Sequence, residues 1–125
     1  MDKSQSNIDN YLCAIITLEY RLGRVFLKDI VDELTVQPSS VKLNLKLLLE
    51  NDLIEFDIEN KIMLTQTGRD RAQKVYDCRL FLENIFLKAG VFPKTAKDDA
   101  KNIEQVMSEE TYRKLFDYFK GKARD

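Results

Sequence analysis

Histidine is absent from these 125 residues, and so is tryptophan. Without imidazole the chain lacks the usual acid/base group of neutral pH and the commonest metal ligand. Glycine occurs only four times and never in a cluster, which excludes a Gly-rich phosphate loop. The adjacent acids Asp98-Asp99 and Glu109-Glu110 read as helix caps, so an enzyme is not expected. The two cysteines, Cys13 and Cys78, stand far apart with no CxxC pairing, signalling neither a disulfide scaffold nor a zinc finger. No apolar run approaches the roughly 20 residues that cross a bilayer. The start Met1-Asp2-Lys3-Ser4 also lacks the apolar stretch of a signal peptide. A cytoplasmic protein with no membrane association is expected.

An excess of either charge is missing too: 20 Lys and Arg stand against 21 Asp and Glu. That balance argues against coating nucleic acid by electrostatics alone. Residues 1–72 carry nine basic and twelve acidic side chains, so any DNA contact has to come from a local patch.

What is present is helical periodicity. Ile8, Leu12, Ile15, Ile16, Leu18 and Leu22 recur at helical spacing, and Gly23 is a stop signal. Ile30, Val31 and Leu34 predict a short second helix from Lys28. Pro38, with Ser39 and Ser40 beside it, marks a third helix running to about Glu50. Two helices joined by a brief turn, the second opening on small polar residues, form a helix-turn-helix. On the third helix Val41, Leu45, Leu48 and Leu49 are expected to face the core. Gln37, Pro38, Ser39, Ser40, Lys42, Leu43, Asn44 and Lys46 then fall on or beside the opposite face. Serine, asparagine, glutamine and lysine donate to phosphates and base edges, although an ordinary solvated face has the same spacing.

Two short alternating runs follow, around residues 53–56 and 61–64, with Asn60 in the turn. They read as a β-hairpin, hence a wing, where Lys61 could reach a phosphate; Lys28 is a second candidate for that role. A long helix from about Gly68 to Ala89 carries Ala72, Val75, Tyr76, Leu80, Phe81, Leu82, Ile85, Phe86 and Leu87. That apolar band is wider than a small winged helix can cover, which suggests a partner subunit. After Gly90 and Pro93 a helix restarts at Thr95 or Lys97, with Ala100, Ile103, Val106 and Met107 apolar. Ser108-Glu109-Glu110-Thr111 opens a last helix striped with Tyr112, Leu115, Phe116 and Phe119. The expected fold is mainly α, a winged helix-turn-helix DNA-binding domain over residues 1–72 followed by an α-helical dimerisation domain over 73–125.

Several stretches together resemble a known family. They are Tyr11-Leu12 with Ala14-Ile15, Lys28-Asp29-Ile30, Val36-Gln37-Pro38-Ser39-Ser40-Val41, Asn51-Asp52-Leu53-Ile54, Leu64-Thr65 with Thr67-Gly68, and Ile103-Glu104 with Val106-Met107-Ser108. In this order and spacing the chain resembles, almost end to end, the diphtheria toxin repressor family of metal-dependent transcriptional regulators. The likeness is greatest to its short manganese-regulator branch. The resemblance implies a homodimer held by the C-terminal helices. It also implies that each subunit places the third helix in the major groove of a palindromic double-stranded DNA operator, with repression gated by manganese, iron or zinc.

The gating positions depart from that pattern. The resemblance sets Asn10 and Cys13 at the first-helix ligand positions, Cys78 where a histidine is usual, and Lys101, Glu104 and Gln105 at the last three. Only Glu104 is a standard ligand there, and no confident metal site follows. Two readings stay open. Lys101 could supply the positive charge itself by pairing with Glu104 along one helix face. Alternatively, Cys13 and Cys78 could approach one another and form a thiolate or disulfide site with Glu104. A plain buried thiol is the simpler reading of each cysteine. The resulting expectation is a dimeric DNA-binding transcriptional regulator without the usual metal gate. The alternative is a winged-helix protein-interaction module that has lost DNA binding, consistent with the acidic N-terminal half and with Leu43 on the recognition face.

Overall fold

The computed structural model describes residues 3–123, with side chains over 7–121; Met1 and Asp2, part of the stretch read above against a signal peptide, lie outside the described residues. The elements run α1 (Lys3–Leu22), α2 (Leu27–Leu34), α3 (Pro38–Glu50), β1 (Ile54–Phe56), β2 (Ile62–Leu64), α4 (Gln66–Lys88), α5 (Pro93–Val106) and α6 (Glu109–Ala123). This is the expected mainly α fold, a winged helix-turn-helix followed by further helices. Among the described residues no helix is long and apolar enough to cross a membrane.

The apolar stripe of α1 buries Leu12, Ile15 and Ile16 completely, against Ile30 of α2 and Val41 and Leu48 of α3. Each such side chain contributes about 1.5–3 kcal/mol relative to an exposed one. α1 begins earlier than its first apolar residue suggested and ends at Gly23, whose φ of 80° is the left-handed conformation that closes helices. At the other side of the link, the Phe26 N–H donates to the Asp29 carboxylate at 2.8 Å, which starts α2.

α2 closes at Thr35, which has φ 54° and donates its N–H to the Val31 carbonyl at 2.9 Å. A β-branched residue is strained in that region, where asparagine is tolerated. Thr35→Asn is therefore expected to raise stability by about 0.5–1 kcal/mol, read as a higher melting midpoint. The same residue begins the turn that leads to Pro38, so the strain sits within the helix-turn-helix itself.

In α3, Val41, Leu45 and Leu48 are buried as expected, but Leu49 is 44% exposed. Leu47 packs against the core instead. With leucine at 45, 47, 48 and 49 the apolar spacing leaves the helix phase open by one position, and the packing against α1 and β1 selects it.

β1 and β2 pair antiparallel, Ile54 opposite Leu64 and Phe56 opposite Ile62. Their inward residues Ile54 and Ile62 join the core, and the Ile62 N–H donates to the Val25 carbonyl at 2.8 Å. That bond ties the hairpin to the α1–α2 link.

The chain divides between Tyr76 and Asp77, within α4, into two compact units. In the second unit Cys78, Leu82 and Ala100 form a small core with Phe81, Phe86, Met107 and Tyr112 around it. Phe81 of α4 packs on Tyr112, Phe116 and Phe119 of α6 with ring centroids 5.5–6.2 Å apart. α5 starts at Pro93 rather than at Thr95 or Lys97, because proline fits the first helical position, where no N–H is needed. Its buried face is Ala96 and Ala100, while Val106, expected in the apolar stripe, is 80% exposed at the helix end. Ser108 caps α6 by accepting the Thr111 N–H at 3.1 Å, as the start box predicts.

Candidate nucleic-acid interface

The exposed face of α3 begins at Gln37, which precedes the helix in extended conformation and forms no side-chain cap. Pro38 fixes the first turn, and Ser39 and Ser40 stand exposed beside it. The helix N-terminus thus presents hydroxyls and a partial positive charge together, a combination suited to a phosphate oxygen. Lys42 and Lys46, one helical turn apart, are exposed on the same helix with Leu43 between them, 69% exposed. Lys28 of α2 is exposed as well.

Asn44 also makes contacts within the fold. It is half-buried, donates its side-chain N–H to the Ser40 carbonyl at 2.8 Å, and also hydrogen-bonds Tyr11 of α1. Burial pushes the Tyr11 hydroxyl pKa up, and the Asn44 contact partly offsets that rise. Asn44 therefore ties α3 to α1 and sets the pitch of the exposed face. Nothing in the local spacing signals Tyr11 as its partner, since that residue lies on another helix.

The wing is acidic. Glu55, Asp57 and Glu59 precede Lys61 in the hairpin, and the Lys61 ammonium lies 3.5 Å from the Asp57 carboxylate. Asp57 also accepts the Glu59 and Lys61 N–H groups at 2.9 and 2.8 Å, closing the turn around Asn60, which has the positive φ of 64° anticipated for it. These hydrogen bonds, the Lys61 N–H first, hold the Asp57 carboxyl below its usual pKa. Because the folded pKa is the lower one, this support is present above the ordinary carboxylate pKa and is lost as pH falls through the depressed value. Lys61 is thus a shared charge, and Ile58 at the tip is fully exposed.

Within the second unit, Glu104 of α5 does not take Lys101 as its partner. Its carboxylate accepts the Arg79 Nε–H from α4 at 2.8 Å, with both side chains largely buried, while Lys101 is exposed. Arg79 carried no signal in the sequence, since its partner lies on a different helix. Beside it, burial first and the Glu104 charge second push the Cys78 thiol up to about 11, with Arg79 acting the other way. Cys78 is therefore a protonated, buried thiol at neutral pH. In the first unit Asn10 and Cys13 are half-buried on α1, and the Cys13 carbonyl accepts the Thr17 hydroxyl at 2.7 Å. Neither cysteine is in a disulfide.

No family model matches the chain. Over 104 residues it is 34% identical to the transcriptional regulator MntR of Escherichia coli O6:H1 (strain CFT073), covering 83% of this chain and 67% of that protein. The HTH-type transcriptional regulator MntR of Listeria monocytogenes serotype 4a is 26% identical over 102 residues, 82% of this chain and 72% of the relative. The chain belongs to the diphtheria toxin repressor family. Two solved structures share the fold. The manganese regulator SloR superposes with TM-score 0.77 at 22% identity over 90% of this chain, and T. acidophilum IdeR with TM-score 0.75 at 25% identity over 89%. The chain spans about half the length of each, 53%.

Membership of the diphtheria toxin repressor family raises the question of a bound metal. The donors at the implied positions are a carboxamide in Asn10, two thiols, an ammonium in Lys101, a glutamine and one carboxylate already paired with a guanidinium. Manganese and iron sites need anionic oxygen and imidazole donors, and zinc needs thiolate or imidazole. Asn10, Lys101 and Gln105 bring no anionic donor and Glu104 is already ion-paired, so this set does not fit manganese or iron, while its two thiols are donors of the kind zinc takes. Within either unit, among the described residues, no three Cys, Asp or Glu side chains converge as a metal site requires.

Proposed function

We propose that the chain is a DNA-binding transcriptional regulator, a repressor, acting as a cytoplasmic homodimer on a palindromic operator without the usual metal gate. The carrying observation is the exposed face of α3: Ser39 and Ser40 at the helix start and Lys42 and Lys46 along it, with no acid between Val36 and Leu49. Gln37, Ser39 and Ser40 reach base edges and phosphates from the helix N-terminus, Lys42 and Lys46 take phosphates, and Leu43 offers an apolar contact to a thymine methyl. Lys28 adds a phosphate contact from α2. Pro38 and Asn44 hold the helix in place, and Lys61 adds least because Asp57 shares its charge.

A dimer is supported by the exposed apolar side chains of the second unit, among them Leu80, Leu87, Phe92, Val106, Phe116 and Phe119. A monomer rarely leaves so many large apolar groups in water, and a two-fold partner covers them. The roles assigned are therefore DNA binding to the winged helix-turn-helix and dimerisation to the helices that follow. Sedimentation at micromolar concentration is expected to give a dimer mass, and a monomer would remove this part of the reading.

One observation favours a second function. The wing is acidic and carries a fully exposed Ile58, and Leu43 is exposed on α3, which suits a protein-interaction module that has lost DNA binding. A salt titration of duplex DNA binding separates the two. Neutralised phosphates make affinity fall steeply with salt, and a protein-interaction module shows no such binding.

A further inference from the structure

Arg79 and Glu104 form an ion pair in which only 14% and 10% of the side chains are exposed, linking α4 to α5. Cys78, Leu82 and Ala100 make up the adjoining core. A carboxylate buried this far needs a positive partner, and a guanidinium supplies one that never deprotonates and that carries donors in a fixed fork. We propose that Arg79 is a built-in cation: tethered on α4, it holds the Glu104 carboxylate of α5 as a bound metal ion otherwise would, so the helical unit is permanently set and indifferent to divalent metal. Arg79 is a positioning residue, and the inference rests on the regulator reading only for its consequence, operator binding that ignores metal supply.

Three features of the same unit agree. Glu104 is the one standard carboxylate ligand that the resemblance assigns, and it is the one Arg79 engages. Cys78, at the position where a histidine is usual, is buried in the small core with Leu82 and Ala100. A divalent ion approaching Glu104 would have to displace the guanidinium against charge repulsion and break a buried ion pair.

The test reads melting and manganese binding of the full chain, with no DNA present, so its failure is distinct from failure of the DNA-binding reading. In wild type, millimolar manganese is expected to shift the midpoint by less than about 1 °C, whereas an ion held at a hundred times its Kd would raise it by about 5 °C or more. Manganese titration followed by electron paramagnetic resonance is expected to show no bound ion. Arg79→Ala is expected to lower the midpoint by about 5 °C or more, because it takes the guanidinium away from the buried Glu104 carboxylate. Millimolar methylguanidinium should restore part of that loss in Arg79→Ala and none in Glu104→Ala, which has no carboxylate to receive it. A wild-type midpoint raised by manganese, an unchanged Arg79→Ala, or equal rescue of both variants would overturn the proposal. If Arg79→Ala does not fold, the wild-type manganese titration decides alone.

Discussion

Replacing Lys42 and Lys46 together by alanine is expected to weaken duplex DNA binding by about tenfold or more and to flatten its salt dependence. Both lysines are exposed and lie one turn apart on α3, with no acid on that stretch to neutralise them. Each phosphate contact contributes about 0.9 to the slope of log affinity against log salt, so the double substitution should lower the slope by about 2 per subunit. Neither residue is in the core, and the melting midpoint should stay within the small range of surface substitutions, about 0.5 kcal/mol. Fluorescence anisotropy across a salt series checks both quantities. An unchanged slope would remove α3 as the phosphate-contacting helix.

The second large effect lies at Gly68 in the first turn of α4. A Cβ added there would sit 1.9 Å from the Leu53 carbonyl oxygen and 2.8 Å from its carbon. Those are backbone atoms, so no side chain can swing away. The surrounding bonds fix the approach: Thr65 donates its N–H to that same Leu53 oxygen at 3.1 Å and its hydroxyl to the Asp52 carbonyl at 2.6 Å. Gly68 in turn donates its N–H to the Thr65 hydroxyl at 3.0 Å. Gly68→Ala is therefore expected to cost about 3 kcal/mol, a fall of roughly 10 °C in melting midpoint. Chemical denaturation measures it directly, and a loss within about 0.5 kcal/mol would mean that α4 does not pack on Leu53 as described.

Gly68 also illustrates what a sequence withholds. Its position in Thr65-Gln66-Thr67-Gly68 reads as the start of a helix, which is correct, but the requirement for glycine comes from a backbone fifteen positions earlier. Elements with strong local signals were legible in the same way. The apolar period of α1, the proline and serines opening α3, the hairpin turn at Asn60 and the Ser108 cap of α6 each rest on neighbours within a few residues.

What local spacing did not reveal shares the opposite cause. Leu49 and Leu47 exchange places because four leucines in five positions fit the core equally well until α1 and β1 are present. Asn44 looks available for a base edge until Tyr11 is brought beside it from α1. Lys101 is the cation nearest to Glu104 in sequence, yet Arg79 takes the carboxylate because α4 and α5 lie against each other. Lys61 stands alone in the hairpin sequence as a positive charge, and the turn geometry delivers Asp57 to it. In each case a contact between separate elements, or a turn that reverses the chain, decided what local spacing left open.

These exchanges bear on function as well as on fold. The α3 face retains its exposed lysines and serines, while the wing and the Glu104 position have internal partners for their charges. The central claim is accordingly that α3 recognises duplex DNA with no bound metal to enable it. The most direct measurement is selection from a pool of random duplex DNA, run in chelator and again with manganese, iron or zinc added. The account predicts enrichment of one palindrome in chelator, unchanged by any of the metals. Enrichment only when metal is present would contradict metal independence, and no enrichment under either condition would contradict DNA recognition itself.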